Sequence, residues 1–170
     1  EKLVVLEEHK GFRVAPISRR DLDDLLFMRQ EVEAMAIRRS IERGDDQWEA
    51  GIVAAIHALS KRHSLTPDGH IDPEWEIRHR NFHDSLVAAC DSPRLLLLRQ
   101  QLTDHADRYR RLSHHYPSAG RDHLSEHQAI ADAVVSRRID EADKMIRAHL
   151  ARTVDIILSG DDLQGSGFDD

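Results

Sequence analysis

Twelve of the 170 residues are histidine, a side chain whose neutral ring binds metal and whose charge changes near neutral pH. His79 and His83 stand four apart, as do His123 and His127. On a helix that spacing puts two rings on one face about a turn apart, close enough for one ion to bridge. At this histidine density about one such pair arises by chance, so either pair alone carries little weight. A geometric relation carries more. A helical hairpin turning near Arg138 sets residues equidistant from the turn opposite each other, and His127 and His149 are each eleven positions from Arg138. Both lie on apolar stripes, so this pair and the His79/His83 pair can converge in one interior as up to four neutral ligands. Without a metal, such a buried cluster has many donors and acceptors to satisfy. An all-nitrogen donor set suits a divalent transition metal, zinc, nickel or copper, rather than magnesium or calcium, which prefer oxygen. Four histidines around zinc make a closed, structural site, whereas a metal of higher coordination number keeps positions for water or a carboxylate.

Arg29 is the second informative residue, because it occupies an apolar stripe where an unpaired guanidinium is expensive. Its anion is either Glu33, one turn on, or the carboxylate of a bound small molecule gripped bidentately. His105 also points inward and reads as lining a ligand pocket, or as a hydrogen-bonded core residue, rather than as a fifth metal ligand. His9, His57, His63, His70, His114, His115 and His123 read as surface, loop or boundary residues. Arg108, Arg110 and Arg111 beside Tyr109 read as a solvated basic face.

These side chains need helices to position them, and the pattern supplies six. Pro16, Pro67, Pro73, Pro93 and Pro117 fall between or at the starts of periodic segments. Ser18 caps a helix running to Gly44, with Leu22, Leu25, Leu26, Arg29, Val32, Ala36 and Ile37 on one stripe. A second helix spans about 46–63 and a third runs from Pro73 to Cys90, with Trp75, His79, Phe82, His83 and Leu86 on one face. The fourth, from Pro93 to about Tyr116, shows Leu95, Leu98, Leu102, His105 and Tyr109. The fifth, about 121–136, presents Leu124, His127, Ile130 and Val134; the sixth, about 140–159 and capped by Asp140, presents Ala142, Ile146, His149, Val154 and Ile157. Before them, Leu3 to Leu6 and Gly11 to Ala15 read as two short strands, too few to stand alone and so the remnant of something larger. The fold class is therefore all-α, an antiparallel bundle of about six helices behind a β-hairpin. Residues 1–17 form the hairpin and linker, 18–160 the helical domain, and 161–170, rich in Gly and Asp, a disordered tail.

Composition narrows the function. A net charge of −7 leaves no concentrated basic face to hold a phosphate backbone, so any DNA contact must come from elsewhere. The single cysteine, Cys90, forms no internal disulfide. The longest aliphatic run, Leu95 to Leu98, is far short of a membrane span, so no membrane partner is expected.

The ordered set Leu25-Leu26-Phe27-Met28-Arg29-Gln30-Glu31-Val32-Glu33, His79 to Leu86, Glu126-His127-Gln128-Ala129-Ile130 and Ala142 to Leu150 resembles one family. Over residues 18 to about 158 the chain resembles the effector-binding and dimerisation (FCD) domain of GntR-type bacterial transcription regulators of the FadR subfamily. The resemblance implies a metal held by His83, His127 and His149, with His79 at the position where the family commonly has Asp, a change that removes one negative charge. It also implies a small carboxylate effector near Arg29, Glu33 and His105, a homodimer in the cytoplasm, and repression of a catabolic operon. Operator DNA would be read by an N-terminal winged helix-turn-helix domain absent from this sequence, of which the hairpin is the wing.

Three functions follow from these residues. The first is a metal-assisted ligand sensor that changes the spacing of two DNA-binding domains. The second is a metal-dependent hydrolase using a base such as Glu33, although no protease motif and no nucleophile at motif spacing is present. The third is a metal-free dimerisation module whose histidines merely pack. Turnover abolished by chelation would mark the second, and absence of stoichiometric metal the third.

Overall fold

In the computed structural model a two-stranded hairpin precedes six helices. The structure describes the backbone of residues 4–7, 11–14, 18–112 and 121–159, and side chains within 18–109 and 121–158. The expected tail, 161–170, lies outside the described residues, as do His9, His114, His115 and the side chains of Arg110 and Arg111. Strands β1 (Val4–Glu7) and β2 (Gly11–Val14) pair antiparallel, with Val4 opposite Val14 and Glu7 opposite Gly11.

Helix α1 (Arg19–Arg43) begins where Ser18 accepts a hydrogen bond from the Asp21 N–H at 3.1 Å, and it ends at Gly44. Helix α2 (Asp46–Ser60) starts at the Asp45 cap and α3 (Pro73–Leu86) at Asp72, whose carboxylate accepts from the Glu74 and Trp75 N–H groups. In both, a side-chain acceptor satisfies N–H groups that the helix itself leaves open. Helices α4 (Pro93–Leu112), α5 (His123–Val135) and α6 (Ile139–Ser159) complete the bundle.

Helix α1 packs on α4 and α6, α2 on α3 and α5, and α5 on α6. One apolar cluster, including Ile37, Ile52, Phe82, Leu86, Ile130, Val134 and Ile146, fills the centre. A smaller one, built from Leu22, Leu25, Tyr109, Val154 and Ile157, closes the end where α1 begins. The Tyr109 hydroxyl hydrogen-bonds Asp21 there, joining α4 to the first turn of α1.

The α5–α6 turn is the hairpin that sets the histidines face to face. Arg137 adopts a left-handed conformation, φ 56°, and its guanidinium donates to the Ile41 and Gly44 carbonyls at 2.5 and 2.8 Å. One side chain thus caps α1 and holds the turn against it, as basic groups at a helix C-terminus do.

Several sequence expectations need correction. Helix α3 stops at Leu86, and Cys90, fully buried, follows a turn. Asp140 lies inside the first turn of α6 rather than at its cap, since the Ala142 N–H bonds the Arg138 carbonyl. Leu98 and Leu124, expected to face inward, are exposed. On α4 the four consecutive leucines set no phase, and among the described residues the buried positions are Arg99, Asp107 and Tyr109.

Gly44 is required by space rather than by backbone freedom. A Cβ there would lie 1.9 Å from a Trp48 ring carbon. That ring cannot slide away freely, because its Nε1–H donates to the Ser85 carbonyl at 2.9 Å and the ring is buried. Gly44→Ala is expected to lower stability by about 1–3 kcal/mol, the range for forcing a close-packed site apart. Urea unfolding tests this, and an unchanged midpoint would mean that Trp48 yields at no cost.

Candidate metal centre and ligand cavity

The hairpin and α3 bring four imidazoles into one place. One ring nitrogen each from His79, His83, His127 and His149 lies within 4.8 Å of the other three. The i,i+4 pair on α3 has its Nε2 atoms 3.1 Å apart. Across the hairpin, the His127 and His149 ring centroids are 4.7 Å apart, and His79 and His127 stand at 4.8 Å. Trp75 stacks on His79 at 4.6 Å with the planes 15° apart, which fixes that ring's orientation.

Two of the rings have their far nitrogen committed. His127 Nδ1–H donates to the His123 carbonyl at 2.5 Å, so the proton sits on Nδ1 and the lone pair on Nε2. His149 Nδ1 lies 3.2 Å from both Glu126 Oε2 and Arg121 Nη2, one an acceptor and the other a donor, so the ring's far nitrogen is engaged from behind by an ion pair. Glu126 is held in turn by Arg121, at 3.1 and 2.7 Å, and by Arg152 at 2.9 Å. A carboxylate behind a ring nitrogen is the arrangement that orients an imidazole toward a metal and raises its basicity.

Burial, reinforced by the charge each ring would place on its neighbours, holds His83 and His127 well below the ordinary histidine range. His149 is also lowered, mainly by burial, with its bond to Glu126 working the other way. Burial would raise the Glu126 carboxyl, but hydrogen bonds from His149 and Arg121 and the Arg121 charge hold it well below the carboxylate range. His83, His127 and His149 are therefore neutral at neutral pH, as ligands must be. His127 Nε2 is fully buried and has no hydrogen-bond partner among the described residues. An unsatisfied buried lone pair is costly, and here it turns towards three further imidazoles. The residues present fit a divalent transition metal.

A cavity of about 60 Å³ opens beside His79, His83 and His149, walled by α1, α3, α4 and α6. Arg29 and Glu33 line it from α1. His105 does not line it; Thr103, Ala106 and Asp107 are the α4 residues that do, along with Arg99. His123 stands at the start of α5, as expected of a boundary residue, yet it is half-buried with its ring edge against Trp75. Burial and the Arg121 charge lower its pKa to about 4.

The sequence reading missed Arg99, Arg121 and the bracing role of Glu126. Arg99 comes one turn after Leu95 and Leu96, but the run of four leucines leaves the phase of α4 open. The Arg99 Nε donates to the buried Glu33 carboxylate at 2.8 Å and its Nη1 to Asp84 at 2.6 Å, tying α4 to α1 and α3. Arg99 and Glu33 are both almost wholly buried, so removing one strands the other. Arg99→Met is expected to cost about 3 kcal/mol, with much of the loss restored in an Arg99→Met/Glu33→Gln double variant. Equal losses in single and double variants would show that the guanidinium acts by packing rather than by pairing.

Residues 24–152 match the family model described as the FCD domain. The chain belongs to the FCD family. This FCD domain is 37% identical over 161 residues to the HTH-type transcriptional repressor GlaR of Escherichia coli, covering 92% of this chain and 73% of that protein. It is 31% identical over 157 residues to the uncharacterized HTH-type transcriptional regulator BphR of Paraburkholderia xenovorans, covering 91% of this chain and 64% of that one. Among solved structures, a GntR-family transcriptional regulator from Pseudomonas syringae superposes with a TM-score of 0.73 at 24% identity, over 97% of this chain and 67% of its own. The E. coli protein McbR/YncC superposes at 0.74 with 17% identity, over 92% and 77% respectively. At those identities the structures show that the FCD domain shares their all-α fold. The relatives are named as transcriptional regulators, which makes this the regulatory domain of an FCD-family regulator and sets the hydrolase reading aside.

Proposed function

We propose that this FCD domain senses a small carboxylate with the help of a metal. His79, His83, His127 and His149 hold a divalent transition metal, zinc or nickel first, and Arg29 faces the incoming carboxylate from α1. When bound, the metal supplies Lewis acidity toward the ligand's oxygens without turnover. Glu33, fixed by Arg99, shapes the wall beside it. The carrying observation is the buried His127 Nε2, without a hydrogen-bond partner among the described residues, in a cluster of four imidazoles next to a cavity.

Output runs through α1, whose residues Leu22, Leu25, Leu26 and Arg29 line the cavity while its first turn follows the hairpin. A ligand that shifts α1 changes how a homodimer spaces two winged helix-turn-helix domains on operator DNA, with the hairpin serving as the wing. No described helix is long and apolar enough to cross a membrane. As part of a transcription regulator like its relatives, the domain would work in the cytoplasm.

The test is a thermal-shift screen of small mono- and dicarboxylates on metal-loaded and chelated protein, since a ligand bound only by the folded state raises the midpoint. A shift that vanishes on chelation supports the sensor. Shifts indifferent to metal leave Arg29 as the anchor and the histidines structural, and the absence of any shift or metal favours a bare dimerisation module.

A further inference from the structure

Helices α3 and α4 follow one another in the chain, yet their backbones scarcely approach; α3 packs on α2, and α4 on α1. Between them lies a second cavity, of about 300 Å³, with Val87 and Leu96 in its apolar lining. The exposed residues Asp84, Ala88 and Gln100 also line it, so it faces solvent. Four side chains, Arg80, Asp84, Arg99 and Thr103, line both this outer cavity and the inner one beside the histidines. They are therefore the partition between solvent and the imidazole cluster.

The two guanidiniums of that partition are held with unequal force. Arg99 is almost wholly buried and tied to Glu33 and Asp84 at 2.8 and 2.6 Å, so moving it strands a buried carboxylate. Arg80 reaches across the gap to Asp104 at 3.2 Å and to Asp107. Its side chain is 39% exposed and that of Asp104 50%, so Arg80 exchanges its partners for water far more cheaply than Arg99 does. Arg99 is thus a fixed jamb, and Arg80 a bar that can swing out to solvent. Thr103 comes one turn after Arg99 on α4, and its buried Oγ1 has no hydrogen-bond partner among the described residues. A polar atom left so in a wall between two cavities suits a passage that water crosses better than a sealed core.

We infer that the cleft between α3 and α4 is the entrance to the histidine chamber and that Arg80 is its gate, barring it when paired with Asp104 and Asp107 and opening it when turned out to solvent. The inference concerns access and not the identity of what enters, so it stands or falls separately from the sensor reading. A gate of this kind sets the rates of entry and exit and leaves the equilibrium affinity alone.

The test labels the chamber from outside with diethyl pyrocarbonate, a small reagent that acylates neutral imidazole, on chelated protein at neutral pH. Peptide mass spectrometry reads the labelling of His83, which lines the inner cavity and is held neutral by burial, against that of the exposed His57, His63 and His70. Where opening and closing outpace labelling, the rate follows the population of the open state. Arg80→Gln, which removes the charge that two carboxylates hold, should speed His83 labelling about tenfold, and Asp104→Asn, which weakens the exposed pair alone, about threefold. Gln100→Trp, which adds bulk at the exposed rim, should slow it. The reference histidines should label as in wild type throughout. Asp104→Asn and Gln100→Trp alter only exposed side chains, so they carry the test if Arg80→Gln disturbs folding around Asp107. A His83 rate that is the same in every variant would place the entrance elsewhere and overturn the inference. So would faster labelling in Gln100→Trp, which would mark a loosened bundle rather than a gate. Protein that takes up neither metal nor carboxylate yet shows the expected order of rates would fail the sensor reading and keep the gate.

Discussion

His83→Ala protein, purified without an affinity tag, should retain its helical circular dichroism and lose stoichiometric metal. The reason lies in the arrangement of the four rings. His83 is half-buried beside the cavity and its Nε2 lies 3.1 Å from that of His79, so truncating it removes a ligand and one contact of a ring that is itself only half-buried. The stability change should reverse sign with metal. In the loaded state wild type leads, by about 2.7 kcal/mol where free metal stands at a hundred times its dissociation constant, because only the intact site draws on that binding energy. In the chelated state the variant should be at least as stable, because one desolvated imidazole crowded by three others has gone. His149→Ala should lose metal likewise, but it also frees Glu126 from one of its bonds and so should be less stable than wild type in both states. Metal content by mass spectrometry together with unfolding of both forms decides it. Full metal occupancy in both variants would remove these histidines from the ligand set.

The fold was readable because its signals are local and redundant. Ser18, Asp72 with Pro73, and the apolar stripe of α1 each mark the same boundaries that the hydrogen bonds show. The pairing of His127 with His149 was readable for a different reason: a short turn forces two helices antiparallel, so counting from Arg138 predicts which residues meet. What the pattern could not give was phase on α4. Leu95 to Leu98 cover every side of a turn, and the face that packs is chosen by a buried charge, Arg99, which is stable there only because Glu33 and Asp84 arrive from two other helices. No window of sequence contains that triad. On the expected stripe Leu95, Leu102 and Tyr109 pack inward, but the cavity is lined from α4 by Thr103 and Ala106 rather than by His105.

Glu126 was legible as a motif residue next to His127, but its work is on His149, across the hairpin, and it depends on Arg121 before α5 and Arg152 on α6. Such bracing has no sequence period, since each contact is set by tertiary distance. It nonetheless bears on the chemistry: the Glu126–Arg121 pair holds the far nitrogen of His149 in place, while the His123 carbonyl fixes the tautomer of His127. Together they orient two rings towards the same cluster of nitrogens.

Chelated protein should become sharply less stable as the pH falls below about 6.5. His83 and His127 are held neutral in the fold by burial, well below the 6.5 they regain on unfolding. Below that value the unfolded chain binds protons that the folded chain refuses, so stability is complete above it and is lost as pH falls. Each histidine contributes a slope approaching about 1.4 kcal/mol per pH unit, and the two together about 3 kcal/mol per unit. His149 and His123 add in the same direction. Glu126 acts later: its depressed carboxyl contributes stability above the ordinary carboxylate value near 4.5 and loses it as the pH drops further. Urea unfolding at pH 7.5, 6.5 and 5.5 in the presence of a chelator measures the slope, and His83→Ala should reduce it by about one histidine's share. A flat profile would mean that the rings take up protons in the folded state, which would make them hydrated surface groups rather than a buried set of lone pairs. Protons and metal compete for the same nitrogens, so in the sensor reading saturating metal should displace the onset of this loss to lower pH. A histidine cluster that merely packs should show the acid loss with no displacement by metal.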